Sequence, residues 1–203
     1  GAWVARGSVG SCGAEWATGI DNTCTCDGPD EAQDWVEVSE QVVGFAFDQQ
    51  GAFVLLMEKN RPKWMAGKLN GPGGKVEFVP APVGGEMVRL VGWRSETPEE
   101  AIAREFGEET GYSTKPDDWT KFATLHSDHG TTIHFLAIKL GNLHWMLQDR
   151  EIRTATDERV VVYPVQCLRS DKVLPNLAYL VPMGWYAVSY QALGATITEG
   201  EHR

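Results

Sequence analysis

Long apolar runs are absent from these 203 residues: no stretch of about eighteen occurs, so no segment is built as a membrane-spanning helix. Cysteine is scarce. Four in a chain of this length are too few for a disulfide framework. Cys12, Cys24 and Cys26 lie near the N-terminus with no histidine beside them, one ligand short of a structural zinc site. They read as incidental thiols or a local disulfide. Cys167 adjoins an apolar run and is expected to be buried. Positive charge is in short supply too: 18 Lys and Arg face 28 Asp and Glu, a net charge of −10. Such a surface repels phosphate backbones and anionic bilayers, which disfavours nucleic-acid and membrane partners. An anionic substrate would need a local reversal of sign, and a divalent cation supplies one. Internal repeats and low-complexity blocks are lacking. A first residue Gly1 in place of Met leaves room for a leader lost on processing, and a cytoplasmic location is the expectation.

What is present suits a globular core: 42% of residues are apolar and 10% aromatic, enough to fold without a metal or disulfide staple. Residues 1–36 stand apart, with one Arg against six acids, much Gly, Ser, Thr and Asp, and neither helical nor strand periodicity. They read as an N-terminal extension, with Trp3, Trp16 and Trp35 as anchors on a main domain spanning 37–203. From there the pattern becomes regular. Gln41–Phe47 and Ala52–Glu58 flank Asp48-Gln49-Gln50-Gly51, a hairpin turn with glycine where positive φ is needed. Lys121–His126 and Thr131–Leu140 form a second strand pair, and Arg159–Val165 a further strand. Helices are predicted over Pro98–Thr110 and Asn176–Ala192, the latter with an apolar stripe that includes Trp185 and Tyr186 and reads as core. Strand pairs before and after one helix, then a terminal helix, predict an α/β mixed sheet sandwiched by helices.

The first helix carries the chemistry. Thr97 is its N-cap, Pro98 its first residue, Glu100 completes a capping box and Gly111 closes it. Glu105, Glu108 and Glu109, at i, i+3 and i+4, crowd three like charges onto one face near the helix C-terminus, where the macrodipole disfavours anions. Gly107 among them costs roughly another 1 kcal/mol relative to alanine. Local rules broken together mark functional sites. A merely solvated acidic face is the ordinary explanation, but Ile102 and Phe106 on a neighbouring strip fix the helix's orientation, and Arg104 can hold a carboxylate in place. Packed carboxylates in this number suit Mg²⁺ or Mn²⁺. Upstream, Asn70-Gly71-Pro72-Gly73-Gly74-Lys75 offers a close backbone approach and a point charge for a phosphate.

These residues resemble the Nudix signature, Gly-x5-Glu-x7-Arg-Glu-apolar-x-Glu-Glu-x-Gly-apolar. Its second half is matched from Glu96 through Arg104-Glu105-Phe106-Gly107-Glu108-Glu109-Thr110-Gly111-Tyr112. In the first half, Gly73-Gly74-Lys75-Val76-Glu77 is similar to the usual opening, but 18 residues separate Glu77 from Glu96 where close relatives have two. Residues of about Val79–Arg94 thus look like an insertion. It reads as a surface hairpin with a strand near Met87–Val91, or else as a substrate lid using Trp93 and Arg94.

The resemblance covers about residues 38–192. It implies a Nudix-type α/β/α sandwich around a mixed sheet and hydrolysis of a nucleoside diphosphate linked to another group. By matching positions, Glu105, Glu108, Glu109 and the Gly73 carbonyl would bind Mg²⁺, with Mn²⁺ as the alternative, and Arg104 would orient a glutamate. Glu96 would support the helix start or the loop, and Lys75 would contact phosphate. Glu108 is the first choice of general base, Glu109 the second. The loop from Lys63-Trp64 through Lys68–Lys75 is similar to that of the oxidised-purine nucleoside triphosphatases, which puts Asn70 on the nucleotide. Asp157-Glu158 and the segment Leu174–Pro182 resemble the same branch, but Asn176 and Leu177 replace its two adjacent base-reading acids. Asn176 is therefore the candidate base contact, and a nucleoside triphosphate cleaved to monophosphate and pyrophosphate the expected substrate. ADP-ribose, a dinucleotide polyphosphate, an RNA cap and a non-catalytic nucleotide sensor are the alternatives. His126, His129, His134 and His144 lack ligand spacing, and His134 reads as sheet packing.

Overall fold

The computed structural model describes residues 2–5, 35–83, 90–128, 130–141, 143, 156–190 and 195–198. Among these, ten strands and two α-helices follow the chain as β1 (Ala2–Ala5), β2 (Trp35–Phe47), β3 (Phe53–Lys59), β4 (Lys68–Asn70), β5 (Phe78–Val83), β6 (Leu90–Ser95), α1 (Pro98–Thr110), β7 (Thr120–His126), β8 (Thr131–Lys139), β9 (Arg159–Pro164), α2 (Leu177–Tyr190) and β10 (Ala195–Thr198).

The sheet runs β10-β7-β8-β2-β3-β4, with β1 added to β2 and β9 to β3. It is mixed: β2 lies parallel to β8 over Ser39–Phe47, and β7–β8, β2–β3 and β3–β9 are antiparallel. Strand alternation explains why both faces are covered. On β2 and β3, Val42, Ala46, Leu55 and Met57 point to one face and pack with Ile102 and Phe106 of α1. Phe45, Phe47, Val54 and Leu56 point to the other and pack with Leu177, Leu180 and Val181 of α2. Gly44 lets α1 settle close, since a Cβ there would stand 2.7 Å from Ile102 Cδ1 and 2.8 Å from the Trp119 ring. The helix–sheet–helix sandwich expected from the sequence is the observed architecture.

Several expectations shift. The stretch before residue 37 contributes strand: Ala2–Ala5 pairs with Trp35–Val38, and β2 runs unbroken across the expected boundary. Backbone pairing needs no side-chain alternation, which is why periodicity missed it. Trp16 and the three N-terminal cysteines lie outside the described residues. Cys167 is exposed, not buried, because the chain turns at Val165–Cys167 and Leu168 takes the core position. Trp185 packs against Phe47 with ring centroids 5.6 Å apart, whereas Tyr186 is exposed and stacks at 4.9 Å on Tyr190. The last expected residues of that helix, 191–192, are outside the described residues.

The segment between Glu77 and Glu96 is a hairpin. β5 and β6 form their own two-stranded antiparallel sheet, Phe78 opposite Ser95 and Val83 opposite Leu90. The expected strand near Met87–Val91 begins at Leu90, and Met87–Arg89 are outside the described residues. Both guanidinium arms of Arg94 donate to Glu100, at 2.6 and 2.7 Å. That pair holds the Glu100 carboxyl down at about 2. Trp93 is 71% exposed.

Candidate active site

α1 starts as its sequence dictates. Thr97 Oγ1 accepts from the Glu100 amide and Glu100 Oε2 accepts from the Thr97 amide, the reciprocal capping box, with Pro98 behind it. Gly111 ends the helix at φ 72°, and no basic residue sits in the last turn to offset the acids there.

The hairpin does not displace this helix. Its two ends are tied together by the Glu96 amide donating to the Glu77 carbonyl at 2.8 Å and the Glu77 amide donating to Glu96 Oε2 at 3.1 Å. Glu96, 8% exposed, also receives Arg104 Nε and Nη2, each at 3.0 Å. Arg104 reaches on to Glu105 Oε1 at 2.9 Å, to the Lys75 carbonyl at 3.0 Å and to Glu108 Oε2 at 3.6 Å. One guanidinium thus fastens the helix, the hairpin base and the glycine loop.

Burial pushes the Glu96 carboxyl up, but the bonds from Arg104 and the Glu77 amide outweigh it and hold it below its ordinary 4.5. A depressed folded value means the folded state binds fewer protons than the unfolded one. Its contribution is therefore present above 4.5 and lost as pH falls through the depressed value. Glu96→Gln should flatten the acid limb of melting temperature against pH; an unchanged slope would count against this.

The glycine loop runs along β2, held by Val42 N to Gly74 O (2.9 Å) and Gly44 N to Pro72 O (2.8 Å). Side chains do not fit there: a Cβ on Gly73 would lie 2.0 Å from Val42 O, and one on Gly74 would lie 2.2 Å from Glu105 Oε1. Gly73→Ala should lower stability by more than about 1 kcal/mol, measured by denaturant unfolding. The loop meets two signature acids: Glu105 lies against Gly74, and Glu109 Oε2 accepts from the Gly73 amide at 2.8 Å. Burial raises the carboxyl pKa of both, Arg104 opposing it at Glu105 and Lys59 at Glu109. Glu108 differs, with its side chain 49% exposed.

Beside this loop opens a cleft of about 360 Å³ lined by Asn70, Gly73, Gly74 and Glu109. Lys59, Arg61, Asp157 and Glu158 line it as well. Lys59 is the residue that motif reading missed. Its ammonium donates to Glu109 Oε1 at 2.7 Å and pairs with Glu158 Oε2 at 2.8 Å. Burial alone would lower its pKa, but the two carboxylates carry it above the usual lysine value. A signal did exist: Leu55, Met57 and Lys59 alternate onto the α1 face of β3, and a lysine there needs a buried partner.

Lys75 is exposed and does not line the cleft. Asn176 is also exposed; its carbonyl accepts from Leu180 at 3.0 Å at the start of α2, away from the lining. His134 bonds Glu40 (2.6 Å) and Thr124 (3.2 Å) within the sheet, and His126 bonds Thr132. His129 and His144 are outside the described residues.

Hard-cation donors are gathered here: three carboxylates, two of them desolvated against a backbone cradle that no Cβ could share. In this arrangement the side chains have not converged. Among the described residues, no three acidic, His or Cys groups close on one point. The cause is visible, since Arg104 draws Glu105 and Glu108 while Lys59 draws Glu109. The described residues include no helix long and apolar enough to cross a membrane.

A NUDIX domain model matches residues 39–186, from within β2 to within α2. Among curated protein sequences none matches the chain significantly. Similar solved structures include one from work on MutT of Aliivibrio salmonicida and Vibrio cholerae, 18% identical, covering 75% of this chain and 93% of that one, TM-score 0.43. Another is a MutT/nudix family protein from Enterococcus faecalis, 16% identical, covering 63% of this chain and 44% of that one, TM-score 0.44. With the domain model spanning most of the chain, and the signature helix capped, oriented and set against its glycine loop, this chain belongs to the Nudix family and is a hydrolase of phosphoric anhydride bonds.

Proposed function

We propose that this hydrolase cleaves a nucleoside triphosphate to a monophosphate and pyrophosphate, using Mg²⁺, or Mn²⁺ in its place, held by Glu105, Glu108, Glu109 and the Gly73 carbonyl. The observation that carries the reading is the meeting of Glu105 and Glu109 with the Gly73–Gly74 loop, beside a cleft that Glu109 and Asn70 line. When bound, the ion neutralises phosphate oxygens and lowers the pKa of an attacking water. Glu108, half exposed and held only at 3.6 Å by Arg104, is free to turn and take the water's proton. Glu109 is poorly placed for that role, because Lys59 and the Gly73 amide already engage its two oxygens. Arg104 keeps Glu105 aimed at the loop.

Asn70 faces the base or ribose, its Oδ1 anchored by the Gly71 amide at 2.9 Å. Lys75 is kept as a phosphate contact from the rim of the loop. Asn176 leaves the proposed site, since it neither lines the cleft nor belongs to the glycine loop and acid helix beside it. An exposed free thiol at Cys167 fits a reducing cytoplasm, where nucleoside triphosphates are found.

One panel tests the reading: phosphate and pyrophosphate release from nucleoside triphosphates, ADP-ribose and diadenosine polyphosphates, with and without Mg²⁺. Pyrophosphate from a triphosphate, lost on chelation, is the expected result. Release only from ADP-ribose or a dinucleotide polyphosphate would replace the substrate, and none from any would favour a nucleotide sensor. The hairpin bears on substrate choice. Deleting Val79–Arg94 removes a separate sheet whose ends meet at Glu77 and Glu96, so KM or substrate preference should change more than melting temperature. Unchanged kinetics on every substrate would refute a substrate role for it.

A further inference from the structure

Lys59 sits where a cation is already required. Its ammonium bridges Glu109 and Glu158 at 2.7 and 2.8 Å, and all three side chains are largely buried, at 10, 8 and 14% exposure. Glu158 is itself fixed by the Asn60 amide at 3.0 Å. On the other side of Glu109, the Gly73 amide belongs to a loop clamped along β2 and cannot withdraw without breaking those bonds. The lysine is the movable partner, a flexible stem ending in a point charge.

We propose that Lys59 is a resident counter-ion, a positioning residue that holds Glu109 and Glu158 together in the absence of a divalent ion and must give way when the ion binds. This rests on the metal reading of α1 given above. Two buried carboxylates facing each other without a cation would be costly, so the ammonium keeps the site folded and assembled. The same ammonium opposes a dication on Glu109, because like charges then share one carboxylate. The chain therefore binds metal more weakly than its acids alone would allow. A diphosphate substrate offers the displaced ammonium a new acceptor, so metal and substrate load together.

The test is direct Mn²⁺ binding to this chain without nucleotide at about pH 8, by calorimetry or by the electron-spin resonance of free Mn²⁺. Lys59→Met should bind about tenfold more tightly than the unaltered protein. A purely structural lysine would give the opposite result, since loosening the site weakens binding. Equal or weaker affinity overturns the inference while leaving the metal reading intact. No binding by either protein overturns the metal reading and this inference with it. Should the variant fail to fold, crystals of the unaltered protein soaked in Mn²⁺ decide the matter. The ammonium should have left Glu109 Oε1; Mn²⁺ bound with that contact retained overturns the proposal, and no Mn²⁺ in the crystal overturns it together with the metal reading.

Discussion

Replacing Glu108 by glutamine should cut turnover by about 10²- to 10⁴-fold, the usual worth of a positioned general base, with the larger value if a metal contact is lost as well. The fold should survive. Glu108 is half exposed and its closest charged partner is 3.6 Å away, so its neutral isostere leaves no buried group stranded. Removing one of three crowded carboxylates also relieves repulsion on α1 of a few tenths of a kcal/mol, so melting temperature should hold or rise slightly. Steady-state kinetics beside a thermal melt checks both halves. Near-normal turnover would move the base elsewhere, and a large loss of stability would show Glu108 to be structural.

Arg104→Met should do the reverse, striking stability and activity together. The guanidinium serves Glu96, whose side chain is 6% exposed, and Glu105 at 15%. Deleting it strands two partly buried carboxylates, a loss on the order of 3 kcal/mol. For a chain of this size that is roughly 6–12 °C in melting temperature. Glu105 would no longer be aimed at the loop, and the Lys75 carbonyl would lose its donor, so kcat should fall as well. Combining Arg104→Met with Glu96→Gln should recover part of the stability and little of the activity, since the neutral amide tolerates burial but does not orient Glu105. Full additivity of the two losses would contradict a shared network.

Much of the site was legible because its information is local. A capping box, a C-terminal glycine and three acids at i, i+3 and i+4 occupy one short helix, and short-range geometry follows from residue spacing. The strands Gln41–Phe47 and Thr131–Leu140 were legible for a similar reason, their nearly continuous apolar runs matching a sheet buried on both faces. The hairpin's effect was not legible. Eighteen residues separate Glu77 from Glu96 in sequence, and only the two bonds between those residues show that the two ends of the segment meet.

Lys59 and Glu158 illustrate the deeper limit. They stand about a hundred positions apart, on either side of the signature helix in sequence, and neither has a local feature that predicts the other. They meet because β9 pairs with β3 in an antiparallel register that sets Glu58 opposite Arg159, carrying the neighbours Lys59 and Glu158 to the same edge. The sequence by itself determined the fold class and the acid helix, since periodicity and caps act over a few residues, and the anhydride chemistry followed from the resemblance of its motif to the Nudix signature. Only the tertiary structure decided which cations hold those acids and which polar groups line the cleft. Charge pairing inside a core depends on distance through space, and strand pairing, not chain order, sets that distance.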